Sequence, residues 1–427
     1  MSIVWAMSGK SFKNHKTPNI RFRATPVYTN TPIAGAMRGF GSPQEFFAQQ
    51  CQMNKIARDL HISIIDMQLK NLVEPDGFDQ RNGQRHGNAR PIDCVKKGME
   101  LFGWEEAVKE QEESGVAKGR YRIGVGMAAA THGNGVYGVC PDTTGVILKM
   151  NEDGSVVMFT GVSDMGNGSV TTQAQAVAQE LGISMDRIDC LAADTDVVHW
   201  HIGDYSSRGV FVAGSAAKKT AEAMKRELQV EAAKLLETEP DDIELHHDRA
   251  WSTKNEEKTA SLHDVMVHCQ SVSMRELMVA ETYEAKRGAT SYGVHIAKVE
   301  VNTLTGEVRP LEYAAVHDIG RAINPLMLKG QLAGAIQMGL GYGLCEDMAY
   351  DGEGKPLVQT LKKYKVLRAS QMPKLYMDFV ETPQGEPDGP YGAKALGECP
   401  VVPAAPAVVN AICNAVRGEI NELPARP

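Results

Sequence analysis

Two stretches of this chain place a tight turn between short apolar strands and then run through a glycine loop into a helix. Together they constrain the fold more than anything else in the sequence. In the first, Thr144 to Met150 and Val156 to Thr160 flank the turn Glu152-Asp153-Gly154, the pattern of a β-hairpin. It leads into Gly161-Val162-Ser163-Asp164-Met165-Gly166-Asn167-Gly168 and a helix over Ser169 to Leu181, with Gly182 placed to cap its C-terminus. In the second, Val294 to Val301 and Val308 to Val316 flank Leu304-Thr305-Gly306 and end at Asp318-Ile319-Gly320. After Asn324-Pro325 a helix over Met327 to Leu344 carries five glycines, costly in an isolated helix but useful where one packs closely. Strands and helices in this order predict an α+β chain built from two similar hairpin–helix modules.

Around these modules the pattern is uneven. Residues 1–30 show few periodic signals, and Thr17-Pro18 and Thr25-Pro26 disfavour helix before each proline, so this stretch reads as extended. Ser42-Pro43-Gln44-Glu45 combines the residues of a capping box and starts a helix at Pro43, with a second over Ile64 to Leu72. Residues 75–90 are turn-like, with Asp76-Gly77, Asn82-Gly83 and His86-Gly87, and two short amphipathic helices follow from Pro91 to Glu113. The domain division is set at 1–118 and 119–427. Strands are predicted at Ile123 to Thr131, Arg187 to Ala192 and Leu375 to Val380, and a long helix over Ala213 to Leu236. Residues 237–275, charged and irregular, read as a peripheral insertion.

Composition excludes several classes. The 427 residues are 43% hydrophobic and carry a net charge of -8 without a basic run, so neither disorder nor a footprint for nucleic acid or anionic lipid is present. Met1 to Lys16 lacks the pattern of a secretory signal and no run of eighteen apolar residues stands out, which sets the expectation of a cytoplasmic protein with no membrane segment. Eight cysteines are scattered with no C-x-x-C pair, which argues against a zinc site, an iron–sulfur cluster or a disulfide framework in this chain.

The candidate site residues sit in the glycine loops. Gly389 to Pro400 contains Gly389, Gly392 and Gly397 and delivers Glu398 to the head of an apolar helix over Val401 to Val416. Glu398 can serve the helix dipole, pair with Lys394 at i,i+4, or act on a ligand. Ala34 to Gly41 presents Arg38 and Gly39 at a helix N-terminus, a natural anion site, or else Arg38 is a surface cation beside a turn. Ser206, Ser207, Arg208 and Gly209 precede another helix start. Gln337 is the polar residue on the glycine-rich helix, with solvent as its plainer destination. Asp194, Asp196, His199, His201 and Asp204 match no compact metal-ligand set.

Taken together, Ala36-Met37-Arg38-Gly39-Phe40-Gly41-Ser42-Pro43-Gln44, Asp164-Met165-Gly166-Asn167-Gly168, Asp318-Ile319-Gly320-Arg321-Ala322-Ile323-Asn324-Pro325, Gly334-Ala335-Ile336-Gln337-Met338-Gly339 and Gly392-Ala393-Lys394-Ala395-Leu396-Gly397-Glu398 resemble the molybdenum-binding part of the xanthine dehydrogenase and aldehyde oxidase family. The resemblance covers the later part of that family's molybdenum subunit. It implies two mixed α/β molybdopterin-binding domains, the first incomplete and completed by a partner chain carrying the N-terminal half, in a split-subunit heteromeric complex. It also implies a molybdenum hydroxylase whose metal is held by a pterin dithiolene, not by side chains, with the pterin as cytosine dinucleotide. The 2Fe-2S clusters and FAD are then expected on partner subunits. In such enzymes a metal-bound hydroxide attacks an electron-poor carbon while hydride moves to a sulfide. By resemblance Glu398 is the base, Arg38 and Phe40 line the substrate pocket, and Arg38, Gly39, Met165, Gly166, Asn167, Gly168, Ser207, Arg208, Gly209, Gln337 and Gly397 contact the cofactor. The expected substrate is a small aromatic N-heterocycle, a purine such as xanthine or hypoxanthine, or nicotinate. An aldehyde, an aromatic acyl thioester or a non-catalytic scaffold are the alternatives. Asn167 stands where Gln is common and Cys399 where proline is frequent. His132 and Asn134 lie where some relatives place a stacking aromatic, and the purine-orienting arginine has no clear match in Met1 to Lys16.

Overall fold

A computed structural model describes residues 2–32, 35–79, 83, 85–117 and 119–426, without the side chains of Ser2 and Ala117. Ala34, Asn82 and Lys118, where the sequence placed the start of a glycine loop, a turn and a segment boundary, lie outside the described residues. The helices of the first part are α1 (Ser2–Ser11), α2 (Ser42–Asp59), α3 (Ile64–Asn71), α4 (Pro91–Phe102) and α5 (Trp104–Ala117). Then come β1 (Tyr121–Asn134), β2 (Thr143–Met150), β3 (Val156–Thr160), α6 (Ser169–Leu181), β4 (Ile188–Ala192) and α7 (Ser215–Leu236). A small sheet of β5 (Ile243–His246), β6 (Arg249–Ser252) and β7 (Thr259–Ser261) precedes α8 (Leu262–Ser271). The chain continues through β8 (Met278–Glu284), β9 (Ala289–Asn302), β10 (Val308–Gly320), α9 (Pro325–Leu344), β11 (Lys374–Glu381) and α10 (Ala404–Val416).

The chain forms two compact units. The first comprises residues 1–133, 289–387 and 396–427; the second comprises residues 134–288 and 388–395.

In the first unit the sheet order is β1-β9-β10-β11. The predicted second hairpin is present, with Val308 opposite Val301 and Val316 opposite Val294, and β11 joins β10 in parallel. The sheet is covered on both faces. Cys94, Val95 and Phe102 of α4 pack with Val125, Ile296 and Val316, while Val408, Ala411 and Ile412 of α10 pack with Ala128, Val299 and Tyr313. α10 runs so close to β1 that a Cβ at Gly124 or Gly126 would overlap the backbone of Ala411, which is why that strand carries glycine there. The stretch Cys399–Val416 is long and apolar enough to cross a membrane, but 89% of it is buried inside the protein as a core helix.

The N-terminal stretch, expected to be extended, contains α1. Its local pattern is weak because packing holds it: Ala6 is buried, and a Cβ at Gly41 would meet Met7 Cγ at 2.8 Å and Ile3 O at 2.9 Å. The capping box at Ser42 does not form. Gly41, with φ 87°, is the cap of α2, and the buried Ser42 Oγ has no hydrogen-bond partner.

The second unit has the sheet order β4-β3-β2-β8, with β2 and β3 in the predicted hairpin and Val146 opposite Thr160. α6 ends on Gly182 at φ 63°, as its sequence predicts. Residues 237–275 are not peripheral. Ile243, Leu245, Ala250, Leu262 and Val265 join Met224 and Leu228 of α7 in one core, so the charged residues of this stretch mark only its outer face.

Candidate active site

Glu398 ends an irregular segment and precedes a single 3-10 turn over Cys399–Val401, with α10 beginning only at Ala404. Residues 393–398 are not helical, so Glu398 and Lys394 do not share a turn of helix as the i,i+4 reading requires. The carboxylate instead turns toward the loop before α2. Its Oε1 accepts a hydrogen bond from the Gly39 N–H at 3.0 Å, and its Oε2 lies 3.6 Å from His132 Nε2. The Glu398 side chain is 14% exposed, that of His132 1%, so this is a nearly dry niche.

That loop is bent by three consecutive left-handed residues, Gly39 at φ 92°, Phe40 at φ 34° and Gly41 at φ 87°. A Cβ at Gly39 would stand 2.8 Å from Pro43 Cδ and 3.3 Å from Val401 Cγ1, so only glycine allows the approach that aims its N–H at the carboxylate. Phe40 adopts the same region with a full side chain, a strained backbone of the sort that collects at functional loops.

Arg38 is a brace. Its Nε donates to Gly397 O at 2.6 Å and its Nη2 to Gln331 O and Oε1 at 3.2 and 2.9 Å. Burial pulls the guanidinium below its ordinary value and the Glu398 charge raises it; it stays cationic. Arg38, Gly39, Gly397 and Glu398, expected together, are brought together. Gln331 was missed. It is the α9 residue that touches Arg38, whereas Gln337 lies on another face of the same helix and donates to Leu367 O at 3.1 Å.

Lys10 was also missed. Its ammonium lies 2.9 Å from His132 Nε2 and donates to Gly39 O and Phe40 O at 3.0 and 3.1 Å. Burial pushes it down to about 8, opposed by the Glu398 charge. Burial pushes His132 down to about 4 against the same carboxylate, so its ring is neutral at pH 7. No local pattern could reveal Lys10, because its partners lie 29 to 122 residues away.

In the second unit the loop before α6 ties itself together. Asp164 Oδ1 accepts from Gly166 N and Gly168 N at 2.9 and 3.2 Å, and Asn167 Oδ1 accepts from Ser169 N at 3.2 Å. In the last bond the short Asn167 side chain reaches the backbone two residues on. Met165 is 66% exposed, and beside Gly166 there is open space. The start of α6 meets the other glycine segment, since a Cβ at Gly209 would stand 2.8 Å from Ser169 Oγ. Ser206 and Ser207 are left-handed, at φ 55° and 51°, and Gly209–Gly214 is a π-helical turn, both marks of a backbone shaped for a task.

Arg208 is held by its own neighbours. Its guanidinium is fully buried, lies 2.8 Å from Asp142 Oδ1 and donates to Thr143 O and Thr144 Oγ1 at 2.9 Å. Its charge is therefore met by Asp142, and it anchors the segment. Among the described residues no group of three or more His, Cys, Asp or Glu could hold a metal ion.

Comparison with known proteins places this geometry. Residues 97–373 match the family described as molybdopterin cofactor-binding domain, and residues 1–72 match a second family with the same description. The chain is 31% identical over 411 residues to a putative xanthine dehydrogenase molybdenum-binding subunit of Escherichia coli (strain K12), covering 95% of this chain and 54% of that one. It is 28% identical over 443 residues to the 6-hydroxypseudooxynicotine dehydrogenase complex subunit gamma of Paenarthrobacter nicotinovorans, covering 98% of this chain and 54% of that one. Among solved structures, quinoline 2-oxidoreductase from Pseudomonas putida 86 superposes with a TM-score of 0.83 at 25% identity, over 90% of this chain and 50% of that one. The chain spans about half the length of the curated relatives it matches.

Proposed function

The chain belongs to the molybdopterin cofactor-binding family of xanthine dehydrogenase-like molybdenum oxidoreductases, and from that premise we propose that it is the catalytic part of a molybdenum hydroxylase acting on an electron-poor N-heterocycle. The observation that carries the proposal is the Glu398 carboxylate, fixed at one oxygen by the Gly39 N–H, with its other oxygen beside a neutral His132. A carboxylate held this way in a nearly dry niche is built to take a proton.

The residues fit the group that the family implies. The left-handed Gly39-Phe40-Gly41 run brings backbone where a Cβ would collide, and the open space at Gly166 beside exposed Met165 leaves room for a flat ligand to lie on the loop. Within the first unit Arg38, Gly39 and Gly397 are proposed as cofactor contacts; for the second unit, taken by itself, the proposed contacts are Met165, Gly166, Asn167, Gly168, Ser207, Arg208 and Gly209. Gln337 belongs to the same proposal. When bound, the cofactor supplies the two-electron oxidant and the oxygen that is transferred. The protein's part is to orient the ring beside Phe40, exclude water and accept a proton at Glu398 Oε2; general-base work of this type contributes roughly 10²- to 10⁴-fold. The dinucleotide form of the pterin, the remaining part of the cofactor-binding region, the 2Fe-2S clusters and FAD outside these residues, and a cytoplasmic complex complete the proposal. Relatives named for nicotine-derived and quinoline substrates support the heterocycle class.

In the purified complex, Glu398→Gln is expected to leave molybdenum and pterin content unchanged while turnover falls at least about 10²-fold. Turnover at the wild-type rate would remove Glu398 from the chemistry. A panel of purines, nicotinate and aldehydes with an artificial acceptor identifies the substrate, and an aldehyde preference would displace the heterocycle reading. A complex without molybdenum or pterin would favour a scaffold.

A further inference from the structure

The group behind Glu398 is built from residues that share no sequence motif. His132 Nδ1 lies 2.7 Å from Gly133 O. A carbonyl oxygen only accepts, so Nδ1 carries the hydrogen and Nε2 the lone pair. Lys10 Nζ, 2.9 Å from that lone pair, also donates to Gly39 O and Phe40 O. Three acceptors around one nitrogen need three protons, which an ammonium has and a neutral amine lacks. The two carbonyls belong to the left-handed residues whose loop turns the Gly39 N–H onto Glu398. Lys10 thus fixes both the loop that grips one carboxylate oxygen and the imidazole that faces the other.

We propose that Lys10 is a positioning residue for the Glu398 base: its ammonium ties the loop that aims the Gly39 N–H at one carboxylate oxygen to the imidazole beside the other, and places a cation near that carboxylate. This rests on the reading of Glu398 as the base. His132 Nε2 accepts from Lys10, and the Gly39 N–H donates to Glu398 Oε1. The other ionisable groups around this cluster are Arg38 from the loop before α2, Lys13 just beyond α1, and Glu45 in the first turn of α2, held protonated toward neutral pH by burial. Arg38 keeps its charge throughout the working range, and Lys13 works against the Lys10 charge. Lys10 is therefore the cation of this cluster that titrates near physiological pH, at about 8. As pH rises through that value the ammonium is lost, one of the three bonds goes with it, and the loop and imidazole lose their common anchor.

The test compares the assembled complex carrying wild-type chain, Lys10→Met and Lys10→Arg, with molybdenum content, kcat and kcat/KM followed from pH 5 to 10. Lys10→Met is expected to keep its molybdenum, to lose about tenfold in kcat with a smaller change in KM, and to move the acid limb of kcat/KM upward by about one pH unit. Lys10→Arg is expected to restore the acid limb and to abolish the alkaline fall near pH 8, because guanidinium does not titrate there. An acid limb in Lys10→Met that matches wild type, or an alkaline limb that persists in Lys10→Arg, overturns the proposal and leaves the molybdenum reading intact. If the wild-type complex holds no molybdenum and does not turn over, that reading fails on its own. The Lys10 contact is then judged by 13C-lysine titration of the same complex: a Lys10 midpoint that falls in Glu398→Gln supports the coupling, and an unmoved midpoint overturns it.

Discussion

At the scale of single residues, the niche depends on backbone more than on charge. Gly39 joins a positive φ, contact with Pro43 and Val401, and an N–H that donates to Glu398 Oε1. A side chain there meets all three constraints at once. Gly39→Ala is therefore expected to cost about 1 to 3 kcal/mol from backbone strain and overlap, and to turn the N–H off the carboxylate. Urea unfolding of the complex together with kcat measures both parts. Stability and turnover both within error of wild type would show that the loop relaxes without consequence. Gly166 is the control: it has φ 90° but open space for a Cβ, so Gly166→Ala carries strain without collision and is expected to destabilise less.

At the scale of elements, what the sequence revealed and what it concealed separate by range. Both hairpins, the α6 span with its Gly182 cap and α9 were legible because their signals are local: alternation, turn residues and caps lie within a few residues of one another. α1 was not, because its reason to be helical is its contact with Gly41 some thirty residues on. The Ser42 capping box misled because Gly41 turns the chain left-handed first and takes the cap position. Glu398 and Arg38 were legible as residue types in glycine loops, while Lys10, His132 and Gln331 become a group only when α1, β1 and α9 are assembled. Arg208 shows the same limit: its loop context is local, while its burial against Asp142 emerges only in the fold. Arg208→Met should then leave Asp142 buried without its cation and destabilise the second unit by about 3 to 5 kcal/mol. Most of that loss should be recovered in Arg208→Met with Asp142→Leu, where neither charge remains. Thermal unfolding of both variants decides it; a single mutant as stable as wild type would mean that the pair contributes nothing.

At the scale of the whole molecule, the buried titrating groups give the first unit its own response to acid. His132 and His317 are fully buried, and burial lowers them from 6.5 to about 4 and about 3. A histidine with a lowered folded value binds fewer protons folded than unfolded, so its stability is present above pH 6.5 and is lost as pH falls toward the folded value. Glu45 has the opposite sign. Burial raises it from 4.5 to about 7, so its contribution is complete below pH 4.5 and disappears as pH rises through 7. Between pH 6.5 and 4.5 the terms oppose one another, and below 4.5 Glu45 no longer compensates, so the first unit should lose stability steeply there. All three groups belong to the first unit, as does Trp104, while Trp251 belongs to the second. With each retained as the single tryptophan, Trp104 fluorescence is expected to report unfolding at a higher pH than Trp251 in acid titration. His317→Gln should lower the Trp104 midpoint, since a residue that cannot gain a proton removes one source of the loss. A Trp251 transition at the higher pH, or a Trp104 midpoint unmoved by His317→Gln, would place the acid-sensitive groups elsewhere.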